Sequence, residues 1–141
     1  MPPLRFQPFG QNMTIDEITY AINGAAFEVS RILGGGFLEK VYENALLVEL
    51  RNRGLDAERQ VPINISYKGE QVGEYVADLL VEGKVIIELK TVDSLQRVHE
   101  AQVINYLKAT GIPVGLIVNF KHTKAEIKRV VLTPPQGGGD S

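Results

Sequence analysis

The chain has 141 residues, of which 44% are hydrophobic and 23% are charged, and its formal net charge is −2 at pH 7. This length fits one domain with a substantial core, and no apolar run is long enough to cross a bilayer. The absence of cysteine excludes disulfides, zinc-thiolate sites and cysteine nucleophiles, and the slight net acidity gives no overall attraction to nucleic acid.

The two ends of the chain carry proline and glycine without a hydrophobic pattern. Residues 1–12 and 134–141 are therefore expected to be mobile tails on either side of a single domain at 13–133. The N-terminal segment lacks the apolar stretch and the small-residue cleavage site of a secretion signal. We expect a cytoplasmic protein that does not associate with a membrane.

Two helices are expected before the first strand. Thr14 and Glu17 form a capping box, and the apolar residues around and after it recur at alternating spacings of three and four, which is typical of a helix packed on a core. This stripe consists of Ile15, Ile18, Ile22, Ala25, Val29 and Ile32. The first helix is expected to end at glycines 34–36, and the second to run from about 37 to 53.

The hydrophobic period then changes from helical to strand-like. Alternating apolar residues near 61–65, a turn at 68–70 and two apolar runs that flank Gly83 predict an antiparallel meander of three strands. A third helix is expected over 94–110, followed by a buried strand at 114–120 and a last strand at 127–132. The predicted order of elements is ααβββαββ.

Three charged residues interrupt the apolar strands that flank Gly83. Asp78 lies in the first of these strands, and Glu88 and Lys90 lie in the second. If the turn centres on Gly83, Asp78 lies opposite Glu88, and Lys90 shares the face of Glu88 because a strand alternates its side chains with a period of two. The sequence therefore predicts that these three groups converge on one spot.

Two explanations of this convergence are open at the level of the sequence. Ionised side chains are costly in buried strands unless they are paired or bind a metal. Lys90 can form a structural ion pair with Asp78 or Glu88. Alternatively, the two carboxylates hold a hard divalent cation such as Mg²⁺, which takes oxygen ligands and keeps several waters. A cation that lowers the pKa of its bound water, beside a lysine that holds this water, implies phosphodiester hydrolysis.

The hairpin with Asp78, Glu88 and Lys90 resembles the core motif of the PD-(D/E)XK nuclease superfamily, with Ala77 in place of the first proline of that name. The resemblance extends from about 15 to 132. It implies an α/β fold with a restriction-endonuclease-like mixed β-sheet flanked by helices.

A second pattern indicates a resemblance to one family within this superfamily. Gly36, Glu39 and Tyr42 are similar to the motif from which the GxxExxY protein family takes its name. Members of this family often have a histidine at the position of Ser30. On the third helix, Gln102 and the tyrosine four residues later resemble the Gln-x-x-x-Tyr motif of RecB-type exonucleases.

These resemblances imply a role for each site residue. The expected metal ligands for Mg²⁺ or Mn²⁺ are Asp78, Glu88, the backbone carbonyl of Leu89 and Glu39. Glu28, beside the apolar stripe of the first helix, is the alternative to Glu39. The remaining catalytic residues are expected to be Lys90, which positions the attacking water, and Gln102 and Tyr106, which line the site.

The function that the resemblance implies is a metal-dependent nuclease, with DNA as the expected substrate. The alternative is a catalytically inactive module of the same fold that binds nucleic acid or a partner protein. Because so small a chain offers little surface for sequence recognition, a homodimer or a recruiting protein is also expected.

Overall fold

The computed structural model describes residues 12–132. Within these residues the chain forms α1 (Ile15–Leu33), α2 (Glu39–Asn52), β1 (Ala57–Tyr67), β2 (Glu70–Val81), β3 (Val85–Lys90), α3 (Arg97–Thr110), β4 (Val114–Asn119) and β5 (Glu126–Val131). The predicted order ααβββαββ is confirmed. Apart from Asn12, the segments expected to be tails lie outside the described residues.

One five-stranded mixed sheet, in the order β1-β2-β3-β4-β5, forms the centre of the fold. The first three strands are an antiparallel meander, as predicted, and β5 pairs antiparallel to β4 at the edge. Between β3 and β4 the pairing is parallel, because α3 carries the chain back across the sheet. All six residues of β4 are buried, which agrees with their nearly continuous apolar sequence.

The sheet separates two hydrophobic cores. The larger core packs α1 and α2 against one face, through residues such as Ile22, Leu46, Leu79, Ile87 and Leu116. The smaller core packs α3 against the other face, through residues such as Ile63, Ile86, Val103, Leu107 and Ile117. A helix that spans a membrane is not present among the described residues.

The apolar stripe of α1 is confirmed except at its end. Its middle residues are buried, whereas Ile32 is 63% exposed, so the prediction for this residue is wrong. Leu33 packs against the core instead. The physical reason is that the buried positions of a helix recur every 3.6 residues, whereas the predicted stripe alternates spacings of three and four. After several turns the predicted position therefore differs by one residue from the buried one.

Ser30 ties the end of α1 to the segment that precedes β5. Its hydroxyl is buried, donates a hydrogen bond to the carbonyl of Ala26 at 3.1 Å, and accepts one from the backbone N–H of Ala125 at 3.1 Å. The serine therefore satisfies a backbone donor that would otherwise be buried without a partner. Ser30 therefore has a structural role in this chain.

Gly115 allows α3 to pack closely on β4, and replacing it should destabilise the protein. A Cβ at this position would lie 2.5 Å from Cγ1 of Val103. We expect Gly115→Ala to lower the free energy of unfolding by about 1–3 kcal/mol, as overpacking commonly does. Gly73→Ala is the matched control, because its Cβ would meet only Ile65, at 3.8 Å. Urea denaturation followed by circular dichroism measures both, and equal losses would contradict the prediction.

Candidate active site

The backbone pairing between β2 and β3 stops where the predicted carboxylates begin. The paired residues are Leu79 with Ile87, Leu80 with Ile86 and Val81 with Val85, so the hairpin is centred on Gly83 as predicted. At the next position the side chains replace the ladder. Leu89 donates its N–H to Oδ2 of Asp78 at 2.8 Å, and Asp78 donates its own N–H to Oε1 of Glu88 at 3.4 Å.

The strands part here because β2 changes the face that its side chains present. Leu79 packs in the core under α1 and α2, whereas Ala77, two residues earlier, packs in the core under α3. Gln60 and Asp78 fall opposite each other in the register of β1 against β2 but are not paired, and Gln60 has a positive φ of 54°. Such a backbone conformation is uncommon for a residue other than glycine and marks a local break in the strand. Asp78 therefore projects from a break between two regular sheet segments.

Both carboxyl groups are set in a poorly solvated environment and repel each other. Burial, and then the charge of Asp78, raise the pKa of Glu88 to about 8. Burial also raises the pKa of Asp78, while the N–H of Leu89 acts in the opposite direction. The charges of Lys90 and Glu39 act on both groups, Lys90 lowering each pKa and Glu39 raising it. These four side chains therefore lie within electrostatic reach of one another.

The structural ion pair that the sequence left open is not formed. Within residues 12–132, Lys90 makes no ion pair of 4.0 Å or less with Asp78 or Glu88. Its position at the end of β3 is fixed through the backbone, since its carbonyl accepts the N–H of Phe120 at 2.9 Å. Asn119 holds the chain that follows, through two hydrogen bonds between its side-chain amide and the backbone of Val92.

The carboxylate oxygens that accept no hydrogen bond are suitable ligands for a hard divalent cation. One oxygen of Asp78 and one of Glu88 accept backbone hydrogen bonds, and their other oxygens accept none from the described residues. Two carboxylates beside a backbone carbonyl are the oxygen ligands that Mg²⁺ takes while it keeps several waters. Among the described residues there is no group of three or more His, Cys, Asp or Glu that could hold a metal by itself.

Glu39 begins α2, and the motif that contains it is held together by Tyr42. The Tyr42 hydroxyl donates to the carbonyl of Gly34 at 2.6 Å and accepts the N–H of Phe37 at 3.2 Å. Its buried ring stacks on Phe120, with 4.7 Å between the ring centroids. The tyrosine thus fixes the loop before α2 and anchors it beside the end of β4. Glu39 itself is exposed.

Glu28 lies apart from these groups. It forms a bidentate ion pair with Arg31 on the exposed side of α1, with N–O distances of 2.9 and 3.0 Å. The hydrogen bond from Arg31 lowers the pKa of Glu28. The arginines at positions 31 and 53 are the charges that act on it, rather than Asp78 or Glu88.

The third helix presents its Gln-x-x-x-Tyr face to the carboxylates. Burial, followed by the charges of Glu88 and Asp78, raise the pKa of Tyr106 to about 12, while a side-chain interaction with Gln102 acts in the opposite direction. The phenol is therefore protonated at neutral pH. Its ring also contacts that of Tyr75 on β2, with 5.8 Å between the centroids.

Comparisons with known proteins agree with this geometry. A family model described as the PD-(D/E)XK nuclease superfamily matches residues 16–130. The chain belongs to this superfamily. No curated protein matches the sequence significantly.

Two crystal structures share the superfamily fold of this chain. One is of SSO0001, with a TM-score of 0.54 and 19% identity over 70% of this chain and 52% of that one. The other is of an alkaline exonuclease, LHK-Exo, from Laribacter hongkongensis, with a TM-score of 0.50 and 13% identity over 86% of this chain and 72% of that one. The chain spans about half the length of SSO0001. At sequence identities of 13–19%, the structural similarity shows a shared fold and nothing further.

Glu43 is a buried residue of this PD-(D/E)XK domain to which the sequence analysis gave no role. It is 4% exposed and accepts hydrogen bonds from Lys40, Arg59 and Gln60 at 3.0–3.3 Å. It thereby joins α2 to β1 at the residue opposite Asp78, and its charge contributes to the raised pKa of Asp78 after burial. The signal in the sequence was its place in the buried stripe of α2, four residues before Leu47.

The raised pKa of Glu88 predicts how stability depends on pH in the absence of metal. The folded state binds a proton that the unfolded state releases near pH 4.5, so stability should fall as the pH rises from about 5 to 8. One such group changes the free energy of unfolding by at most about 1.4 kcal/mol per pH unit. Glu88→Gln should reduce this slope.

Urea unfolding in EDTA at several pH values measures the slope. Glu70→Gln, at the exposed tip of the β1–β2 hairpin, is the matched control and should keep the wild-type slope. A Glu88→Gln profile that coincides with the wild-type profile would contradict the expectation.

Proposed function

We propose that this chain is a metal-dependent nuclease that hydrolyses phosphodiester bonds in DNA, and that it is a GxxExxY member of the superfamily. The observation that carries the proposal is the convergence of Asp78 and Glu88 where the β2–β3 ladder opens, with the charge of Lys90 acting on both. A purely structural pair of acids would be expected to have a cation in contact, and Lys90 makes no such contact.

Mg²⁺ or Mn²⁺ is the cofactor that the donor set supports. Asp78, Glu88 and the carbonyl of Leu89 would hold it, with Glu39 approaching from the first turn of α2. When bound, the cation supplies a Lewis acid and lowers the pKa of water. Its charge also offsets the repulsion between the two carboxylates, which explains why the fold retains two acids whose pKa values are raised.

The other site residues have roles that follow from their protonation and position. Lys90 would hold the attacking water and neutralise the negative charge that develops on the phosphate. Because the pKa of Tyr106 is about 12, its hydroxyl remains a hydrogen-bond donor at neutral pH and can bind a phosphate oxygen. Gln102, one turn earlier on the same helix face, would complete this wall of the site.

DNA is proposed as the substrate from the similarity of the Gln102 and Tyr106 pattern to RecB-type exonucleases. A homodimer or a recruiting protein would add to the small surface for sequence recognition that a chain of 141 residues offers.

Loss of either a carboxylate or the lysine should abolish cleavage. We expect Asp78→Ala and Lys90→Ala to lower the rate of DNA hydrolysis in Mg²⁺ or Mn²⁺ by at least about 100-fold, the usual effect of removing one group that stabilises a transition state. Gel assays with single-stranded DNA, duplex DNA and RNA measure this. Equal cleavage by wild type and both variants, or no cleavage with any metal, would refute the nuclease. Metal-independent binding without cleavage would instead support an inactive binding module.

The two helical glutamates can be separated by matched substitutions. Glu39→Gln should lower the cleavage rate by about 10- to 100-fold, the range seen when a group that supports a metal site is removed. Glu28→Gln should leave the rate unchanged, because Glu28 pairs with Arg31 on the outer side of α1. Isothermal titration with Mn²⁺ provides a second measurement. A larger loss for Glu28→Gln than for Glu39→Gln would reverse the assignment.

A further inference from the structure

An open groove lies between the β1–β2 hairpin and α3. Its volume is about 540 Å³, and it is lined chiefly by Asn64, Ile65, Ser66, Tyr75, Asn105 and Lys108, which we call the hairpin groove. The groove exists because β1 and β2 have 11 and 12 residues whereas β3 has 6. The outer part of the hairpin therefore extends beyond β3 and packs beside α3.

The hairpin groove is continuous with the carboxylates. Tyr75 precedes Asp78 by three residues on β2, which corresponds to about 10 Å along a strand. Its ring contacts that of Tyr106, which lies beside Asp78 and Glu88. Asn105, the residue before Tyr106 on α3, lines the groove directly. A chain that lies in the groove would therefore reach the proposed active site at its inner end.

The lining has the chemistry of a surface that binds a polyanion, although the whole chain is slightly acidic. None of the described residues that line the groove is acidic, and Asn64, Ser66 and Asn105 offer hydrogen-bonding side chains. Lys108 makes no ion pair within the described part of the chain. Three other exposed lysines are neutralised, since Lys40 pairs with Glu43, Lys121 with Asp93 and Lys128 with Glu100, whereas Lys68 and Lys124 lie over aromatic rings.

Tyr75 is suited to stack on an unpaired base. Its side chain is 52% exposed, although one side of the ring is held by the tilted contact with Tyr106. An aromatic ring that is fixed in place and open on one face binds any base, because every base has a π-face. Bases within a duplex are already paired and stacked on their neighbours. Stacking on the Tyr75 ring therefore favours a base that does not lie within a duplex.

We propose that the hairpin groove binds an unpaired nucleic-acid strand, with a base stacked on Tyr75 and a backbone phosphate at Lys108. This inference rests on the proposed nuclease function and specifies its substrate as single strands or unpaired ends. DNA and RNA share the recognised base and phosphate chemistry, so the test includes both.

Fluorescence anisotropy in EDTA tests the groove without cleavage. The probes are a labelled single-stranded DNA, an RNA of the same sequence and a blunt DNA duplex. Tyr75→Ala should weaken binding of the single strands by about 5- to 100-fold, the contribution of one base–aromatic stack, and Tyr75→Phe should retain it. Lys108→Gln should reduce the slope of log affinity against log salt by about 0.7. Tyr67→Ala and Lys124→Gln, exposed residues outside the groove lining, are the matched controls and should bind as wild type.

The possible results distinguish the binding of a strand in the hairpin groove from the proposed nuclease activity. Unchanged binding by Tyr75→Ala, equal or tighter binding of the blunt duplex, or no binding of any probe by wild type would overturn the inference. Single-strand binding that depends on Tyr75 but is followed by no cleavage in Mg²⁺ or Mn²⁺ would support the groove and refute the nuclease. Cleavage that is the same in wild type and Tyr75→Ala would support the nuclease and overturn the groove.

Discussion

The proximity of two poorly solvated carboxyl groups is the constraint on which this structure depends. Burial raises the pKa of both groups, the charge of Asp78 raises that of Glu88 further, and Lys90 makes no ion pair with either carboxylate among the described residues. The free-energy cost of burying these carboxylates is reduced by hydrogen bonds from two backbone N–H groups. These groups are available because the backbone pairing of β2 with β3 ends at Leu79. The same break that leaves these donors unpaired also turns the carboxylates out of the regular sheet.

Three sets of contacts fix the structure around the point where the pairing of β2 with β3 ends. Glu43 joins α2 to β1 at Gln60, the residue opposite Asp78. Tyr42 fixes the loop before α2 and stacks on Phe120, whose N–H in turn binds the carbonyl of Lys90. On the other face, Tyr106 closes the site from α3. Much of the polar interior therefore serves to position a few groups, and the two cores on opposite faces of the sheet provide the stability that tolerates the repulsion between the carboxylates.

The sequence predicted the parts of the structure that depend on local pattern. Helices and strands follow from hydrophobic periodicity, and the register of the β2–β3 hairpin follows from its turn at Gly83. It failed at Ile32, where an error of one position accumulated along a helix. It also could not decide whether Lys90 pairs with a carboxylate, because that depends on side-chain direction at the end of a strand. Nor could it give Glu43 a role, since its partners on β1 lie 16 and 17 residues away.

The motif that resembles GxxExxY contains residues with different tasks, which matters for how it should be interpreted in other chains. Tyr42 is buried and acts through packing and two hydrogen bonds in the loop, so its substitution would displace the start of α2. Glu39 is exposed at that start, and its charge reaches Asp78 and Glu88. A sequence that keeps the tyrosine but loses the glutamate can therefore retain the fold while it changes the electrostatics of the site. Presence of the motif alone indicates the architecture, whereas the proposed chemistry depends on the acids at its first helical turn and on the hairpin.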